Sequence, residues 1–264
     1  MLDLKRVTVV FHAGTPNEVR ALQDLSLSMD EGEFITVIGA NGAGKSTLFN
    51  VVAGTVPITR GKILLGGQDV TNLPEYRRSL DIGRVFQNPE MGTCPGLTIR
   101  ENLSLAALRG KTLGLGAGVK AANADWFHDL VKDVNLGLET RLDTDVALLS
   151  GGQRQVISLI MATMMKPKLL MLDEHTAALD PNAGARVIDL TVRLAEEYQL
   201  TVIMITHSMH QAVAVGNRVV MMNRGSILAD ISGEERQSLQ YSDLIDRFRK
   251  LQTGDELPDR AVLS

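Results

Sequence analysis

The chain has 264 residues, a formal net charge of −4, 44% hydrophobic residues and 22% charged residues, all ordinary for a globular protein. This length can bury a sizeable core as one domain, and the charge gives no support to a nucleic-acid partner. The single cysteine, Cys94, rules out a disulfide within these residues and suits a reducing compartment. The first residues lack the apolar stretch of a signal peptide, and the longest nearly apolar run, between Arg154 and Lys166, is shorter than the ~20 residues of a membrane-spanning helix.

Strand and helix patterns alternate along the chain. Apolar runs predict strands over residues 2–10, 24–29, 33–38, 62–65, 81–86, 168–173, 201–206, 218–223 and 226–231. Helical periodicity predicts helices over residues 45–53, 98–108, 123–134, 151–165 and 181–198. Together these elements predict an α/β fold, with a mainly parallel sheet, helices on both of its faces and a small antiparallel β subdomain formed by the early strands.

Residues 88–148 interrupt this alternation and are predicted to be mainly helical. Thr98 and Glu101 have the spacing of a capping box at a helix start. The stretch from Gly110 to Gly118 carries four glycines and is expected to be a flexible connection. The tail after Gln252 is expected to be peripheral.

A glycine-rich turn joins the strand 33–38 to the helix 45–53. Its residues are Gly39, Ala40, Asn41, Gly42, Ala43, Gly44, Lys45, Ser46 and Thr47. Between a strand and a helix this pattern predicts a phosphate-binding loop, because glycines let backbone N–H groups surround phosphate oxygens at a helix N-terminus. Lys45 supplies charge for the β- and γ-phosphates, and Ser46 supplies a hydroxyl ligand for Mg²⁺. The alternative, a turn that only joins two elements, is disfavoured by the complete pattern in its context.

Two downstream motifs narrow the class of protein. The segment 149–155 reads Leu-Ser-Gly-Gly-Gln-Arg-Gln, and the apolar strand after it ends in Asp173 and Glu174. With these motifs nearly the whole chain resembles the ATP-binding subunit of ABC transporters, and the LSGGQ signature ahead of such a strand is very specific to that family. The resemblance implies a phosphate-loop NTPase core, a helical subdomain that carries the signature, and ATP and Mg²⁺ as cofactors.

Four side chains are candidates for the hydrolytic chemistry. A carboxylate at Asp173 can hold Mg²⁺, usually through water. By resemblance, Glu174 polarises the attacking water, Gln87 senses the γ-phosphate and Mg²⁺, and His207 contacts the γ-phosphate. The alternatives are ordinary surface pairs for the two carboxylates and a solvated loop amide for Gln87. The other histidines are expected to be loop or surface residues, with His175 tuning the geometry of its loop; they lie at positions 12, 128, 175 and 210.

The signature segment is predicted to be a second phosphate site. Its candidate residues are Ser150, Gly151, Gly152 and Gln153. A capping box explains the serine and the glutamine, but the two glycines also open a helix N-terminus to an anion. By resemblance this helix start reaches the ATP held by another copy, so that a two-fold dimer sandwiches two ATP molecules. Asp180 matches a residue that contacts the opposite subunit, and before Pro181 it is also an ordinary helix N-cap.

Phe11 matches the aromatic residue that stacks on adenine in the family. The insertion over residues 12–18 loosens the match at this point. The alternative is a core residue, because aromatic side chains at strand ends are usually buried.

The resemblance also implies partners and a location. It implies a second copy of the chain, transmembrane permease subunits that dock near Gln87 and residues 88–105, a separate substrate-binding protein if the transporter is an importer, and a peripheral place on the cytoplasmic face of the cell membrane. A finer similarity is to a bacterial importer branch that has been linked to aromatic amino-acid uptake. It rests on the segments 148–155, 161–163, 173–181 and 216–218.

No internal repeat is visible, so one nucleotide domain is expected over residues 1–264. We expect the core and β subdomain over 1–87 and 160–232, the helical subdomain over 88–159, and a C-terminal helix and tail over 233–264. A soluble ABC ATPase of translation or DNA repair would share the motifs, but usually has two such domains or long coiled-coil insertions. A phosphate-loop kinase or GTPase would lack the LSGGQ helix.

Overall fold

The computed structural model describes residues 1–111 and 118–253. The chain forms two compact units. The first unit comprises Met1–Ser79 together with the residues from Thr201 onward, and the second comprises Leu80–Leu200. Most of the connection expected over 110–118 and almost all of the tail expected after Gln252 lie outside the described residues.

The strands follow the predicted order along the chain. They are β1 Leu2–Phe11, β2 Val19–Met29, β3 Phe34–Gly39, β4 Arg60–Leu65, β5 Gln68–Asp69, β6 Ile82–Val85, β7 Leu169–Asp173, β8 Thr201–Ile205, β9 Arg218–Asn223 and β10 Ser226–Ile231. The helices are α1 Lys45–Ala53, α2 Glu75–Arg78, α3 Ile99–Ala107, α4 Ala124–Lys132, α5 Gly151–Thr163, α6 Pro181–Glu197, α7 Met209–Ala214, α8 Gly233–Ser238 and α9 Tyr241–Thr253.

The first unit contains the predicted antiparallel sheet, with strand order β2-β1-β4-β5. β1 pairs antiparallel with β2 on one side and with β4 on the other. Leu2, Leu4, Val7 and Val9 of β1 are buried, and a register shift between Leu4 and Val7 lets both pairs of residues face the core. The small antiparallel β subdomain is therefore confirmed.

Mainly parallel strands make up the second sheet. Within the first unit, β3 lies between β8 and β9 and runs parallel to both, and β10 closes the edge antiparallel to β9. Residues 34–38 of β3 are buried, as expected of a strand covered on both faces. Within the second unit, β6 and β7 pair in parallel. This arrangement confirms the predicted α/β fold.

Several short or polar elements were not predicted. β2 begins at Val19 rather than at residue 24, and α2, α7 and β5 were absent from the prediction. Residues 19–23 carry mixed polarity, and pairing with β1 holds them in the sheet. α2 and α7 have four and six residues, too few for a helical period to be visible in the sequence.

The second unit contains the predicted helical region. α3 begins with the expected capping box, in which Thr98 and Glu101 satisfy each other's backbone N–H groups. α5 buries most of its residues and packs against α3 and α6. Throughout residues 1–111 and 118–253, no helix is both long enough and apolar enough to cross a lipid bilayer.

Candidate functional site

In the first unit, the candidate phosphate loop connects β3 to α1. Lys45 is the first residue of α1 and is only 7% exposed. Its Nζ donates hydrogen bonds to the carbonyl oxygens of Gly39 at 2.8 Å and Ala40 at 3.1 Å. The ammonium group is thus folded back onto the backbone of the loop, where a phosphate lying in the loop would meet it.

Glycine is required in this loop for two different reasons. Gly42 and Gly44 have φ angles of 80° and 100°, in the left-handed region that favours glycine. A Cβ on Gly44 would lie 2.6 Å from the carbonyl oxygen of Ala21, and a Cβ on Gly39 would lie 2.4 Å from that of Met222. Packing therefore excludes side chains at Gly39 and Gly44. At Gly42 there is room for a side chain, and glycine is favoured there by the backbone conformation alone.

The loop is open on the side that a ligand would approach. Asn41, Gly42 and Ser46 are exposed, whereas Ala43 is buried and Thr47 is half-buried. The N-terminus of α1 has no side-chain cap. Its first-turn N–H groups have no acceptor within the helix, so they remain available to an anion, as the candidate phosphate loop requires.

Phe11, the candidate adenine-stacking residue, ends β1. It is 37% exposed, so its ring is accessible and the alternative of a core residue is wrong. Its cross-strand partner is Val19, which is 55% exposed. Two exposed apolar side chains therefore lie on adjacent strands, and the pairing was not predicted because the mixed polarity of residues 19–23 hides the start of β2.

His207 lies exposed in the loop after β8, in the first unit. Hydrogen bonds stabilise the chain on both sides of it. The Thr206 hydroxyl donates to Oε1 of Gln211 at 2.7 Å, and the Ser208 hydroxyl accepts from the Gln211 N–H at 3.3 Å as the N-cap of α7. Gln211 is thus hydrogen-bonded to both sequence neighbours of His207, the candidate γ-phosphate contact.

In the second unit, Asp173 is the last residue of β7 and Glu174 follows it. Both are half-buried. Glu174 has a φ angle of 43°, a left-handed conformation that is strained for a residue with a side chain. Such strain persists only where neighbouring contacts enforce it, and it is frequent at functional sites.

His175 directly follows Glu174, in the turn after β7. It is a loop residue, as expected, but it is buried and so is not a surface residue. Its Nε2 lies 3.2 Å from the hydroxyl oxygen of Thr191 on α6, and that hydroxyl donates its own proton to the Val187 carbonyl at 2.7 Å. Nε2 therefore donates to Thr191, which defines the tautomer. Burial lowers the pKa of His175 to about 4 and keeps the ring neutral.

The signature segment begins α5 in the second unit. Ser150 is the N-cap, and it forms a reciprocal capping box with Gln153 at 3.2 and 3.1 Å. Gly151 is exposed. A Cβ on Gly152 would lie 2.9 Å from Cβ of Ala183 on α6, so this glycine also serves helix packing, a reason that the sequence did not reveal.

A buried glutamine connects the signature helix to the candidate sensor Gln87. Gln155 on α5 is fully buried, and its Nε2 donates a hydrogen bond to the carbonyl of Phe86 at 3.1 Å. Gln87 is the next residue and is exposed. Gln155 was predicted only as part of the signature segment, and the sequence clue to its buried contact is an amide among the apolar residues of α5.

Asp180 is the N-cap of α6, with Pro181 at the first helical position. Its carboxylate accepts a hydrogen bond from the Ala183 N–H at 2.9 Å. The helix-start explanation of Asp180 is therefore confirmed, and its side chain remains exposed.

The candidate metal ligands offer oxygen atoms only. They are a hydroxyl from Ser46 in the first unit, and an amide from Gln87 and a carboxylate from Asp173 in the second. Among the residues that the structure describes, no group of three or more histidine, cysteine, aspartate or glutamate side chains could hold a metal. This donor set fits Mg²⁺, which is commonly held by one or two carboxylates together with water and substrate phosphates.

Comparison with known proteins identifies the family. The family described as ABC transporter matches residues 22–177. A tyrosine transport ATP-binding protein of Clostridioides difficile (strain R20291) is 41% identical over 250 residues, which cover 94% of this chain and 98% of that protein. The methionine import ATP-binding protein MetN of Geobacillus kaustophilus (strain HTA426) is 33% identical over 231 residues. The match covers 86% of this chain and 64% of MetN.

A solved structure supports the same assignment. The ATP-binding cassette MJ0796, in a dimeric post-hydrolysis state bound to ADP and Pi, superposes with a TM-score of 0.74 at 27% identity. The match covers 88% of this chain and 98% of that chain. This chain therefore belongs to the ABC transporter family, as an ATP-binding and ATP-hydrolysing subunit.

Proposed function

We propose that the chain is the ATPase subunit of an importer of a small solute, in which ATP closes a dimer of two copies and drives membrane permease partners. The observation that carries this proposal is that the described residues place the candidate phosphate loop at the start of α1 and the signature glycines at the start of α5, but one candidate carboxylate pair, Asp173 and Glu174, at the end of β7. A chain with two anion sites and one hydrolytic apparatus is completed by a second copy.

In the first half of the proposed site, the chain binds its own ATP. The loop N–H groups and Lys45 bind the phosphates, and Ser46 supplies one oxygen ligand for the metal. Phe11 and Val19 form the wall against which the adenine ring stacks. Stacking uses the face of the ring and no base-specific hydrogen bond, so the site should accept ATP and GTP with similar affinity.

Hydrolysis is assigned to residues at the ends of strands. Mg²⁺, when held by Ser46, Gln87 and Asp173, would neutralise charge on the β- and γ-phosphate oxygens. The Glu174 carboxylate accepts a hydrogen bond from the attacking water, orients it and takes up its proton density. His207 donates a hydrogen bond to the γ-phosphate. The left-handed backbone at Glu174 directs the carboxylate, and the His175–Thr191 hydrogen bond ties the next residue to α6.

The second half of the site is supplied by the other copy. The Ser150 hydroxyl accepts from the Gln153 N–H and retains a proton that it can donate to a phosphate oxygen. Gly151 is exposed at the start of α5, so a phosphate can reach its backbone N–H. ATP adds these contacts only in the closed dimer, which is what a ligand-driven switch requires. Asp180, exposed at the start of α6, contacts the opposite copy.

A groove in the second unit is the proposed docking place of the permease. It has a volume of about 390 Å³, and its wall includes Phe86, Met91, Cys94 and Leu105. Met91 and Leu105 expose large apolar surfaces. An apolar groove next to Gln87 suits a short helix of a permease, and docking there would hold the chain at the cytoplasmic face of the membrane.

The proposed cargo is an aromatic amino acid, delivered by a separate substrate-binding protein. The support is the 41% identity to a tyrosine transport ATP-binding protein over nearly the full length of both chains. The cargo does not contact the ATPase subunit, so uptake of labelled tyrosine by cells with and without this chain is the direct test.

A cross-link tests the shared site. In a Cys94→Ser background, Ser46→Cys and Ser150→Cys are combined in one chain. Oxidation with Mg-ATP should give covalent dimers, and oxidation without nucleotide should give few. A chain that closes only an internal disulfide in the presence of ATP would contradict the two-copy site. When Ser46→Cys and Ser150→Cys are carried on two different chains and the chains are mixed, each covalent dimer should contain one chain of each kind.

A further inference from the structure

Arg84, on β6, lies between the candidate metal carboxylate and the permease groove. Its Nη2 is 3.7 Å from Oδ2 of Asp173, which makes an ion pair. Its guanidinium carbon lies 4.7 Å from the centre of the Phe86 ring, which makes a cation–π contact. The side chains of Arg84 and Asp173 are 16% and 21% exposed, so solvent screens the pair only in part.

Strand register explains this position. Arg84 pairs with Met171 on the parallel neighbour β7, and Asp173 lies two residues further along that strand. Because side chains alternate between the faces of a strand, Arg84, Phe86 and Asp173 share a face. The contacts are therefore a consequence of the backbone.

Both Arg84 and Phe86 also line the groove described above. A second guanidinium, that of Arg109, lies in the same wall, and no carboxylate is among the described lining residues. The groove therefore presents positive charge within an apolar surface. Any displacement of Arg84 changes the wall that a partner would contact.

We propose that Arg84 is a positioning residue that couples the groove to metal binding at Asp173, the guanidinium resting on Asp173 until Mg²⁺ displaces it toward the groove. The inference rests on the proposed role of Asp173 as a metal ligand. A divalent cation at Asp173 places two positive charges beside a third, and like charges at this distance repel. The Phe86 ring continues to attract the displaced guanidinium, so the movement stays in the groove wall.

Coupling of this kind is reciprocal. A groove occupant that draws Arg84 away from Asp173, through a carboxylate of its own, must strengthen metal binding by the same factor by which the metal strengthens docking. The partner that fits is a permease segment that places an acidic side chain against Arg84. Metal and nucleotide binding would thereby change the affinity of the groove for the permease.

The test measures metal affinity directly. Mn²⁺ is titrated by electron paramagnetic resonance into the chain saturated with a non-hydrolysable ATP analogue. Arg84→Met keeps the length of the side chain and removes its charge, and should bind Mn²⁺ about five- to tenfold more tightly than the wild type. Arg84→Lys keeps the charge and should bind like the wild type. Unchanged or weaker binding by Arg84→Met would overturn the proposal, and tighter binding by both variants would assign the effect to packing on Phe86.

The single cysteine supplies a second readout in the groove. Cys94 is exposed and lines the groove, so it can carry an environment-sensitive fluorophore. Adding Mn²⁺ with nucleotide should change its emission in the wild type and leave it nearly unchanged in Arg84→Met. An equal response in both proteins would overturn the proposed link.

Two controls separate this inference from the proposed function. Arg100→Met removes another arginine–aspartate pair of the second unit, with Arg100 Nε 2.8 Å from Asp143 Oδ1, and should not alter Mn²⁺ affinity. Asp173→Asn should weaken Mn²⁺ binding. If Asp173→Asn has no effect, Asp173 is not a metal ligand and the proposed function loses that assignment. If Asp173→Asn weakens binding and Arg84→Met does not tighten it, only the coupling fails.

Discussion

Replacing His175 by glutamine should flatten the pH dependence of folding stability between pH 7.5 and 4.5. The ring is buried and donates a hydrogen bond to Thr191, and its pKa in the folded chain is lowered to about 4 by burial. An unfolded histidine has a pKa of about 6.5. The unfolded chain therefore binds a proton that the folded chain does not, and stability falls as the pH drops through this window.

The size of the effect follows from the two pKa values. Between pH 7.5 and 5.5 the histidine should cost about 1.4 kcal/mol of unfolding free energy, and the full cost below pH 4 approaches roughly 3 kcal/mol. Urea unfolding of wild type and His175→Gln at several pH values measures the difference, so that contributions from other groups cancel. Glutamine has no titrating ring and can still donate toward Thr191.

His128→Gln is the matched control, because it removes an exposed histidine from α4. Between pH 7.5 and 5.5, this variant should lose as much stability as the wild type does, because His175 is still present. If wild type and His175→Gln lose stability equally between pH 7.5 and 5.5, the ring is not held neutral in the folded chain and the reasoning fails. If His175→Gln unfolds at every pH, NMR of the wild-type imidazole gives the same answer: its signals should not titrate above pH 5.

Four other variants test the candidate site. Glu174→Gln should bind ATP but hydrolyse it at least about 100-fold more slowly, because the carboxylate no longer orients the water, and size exclusion with Mg-ATP should show a dimer; normal turnover would remove Glu174 from the mechanism. Lys45→Ala should weaken ATP binding in a nucleotide titration and abolish turnover in an ATPase assay. Phe11→Ala should cost roughly 1–3 kcal/mol of binding for ATP and GTP alike, and retained affinity with a lowered melting temperature would contradict stacking. Gly152→Val should lower the melting temperature, because its Cβ would lie 2.9 Å from that of Ala183.

The sequence by itself determined the local motifs. The phosphate loop, the capping boxes at Thr98 and Ser150, and the N-cap at Asp180 each depend on residues within a few positions of one another. α1 and β10 lie at the residues that the pattern predicts, because periodic burial and short-range sterics define them. The family could also be inferred from the sequence alone, since its motifs are short and contiguous.

Only the tertiary structure decided which distant residues meet. Pairing of β1 with β2 exposes Phe11 beside Val19, and the register of β6 on β7 brings Arg84 to Asp173. Burial of His175 against α6 depends likewise on contacts between elements. These features depend on strand register and helix packing, which are set by the whole core, and a one-residue change of register would reverse the face of every side chain in a strand.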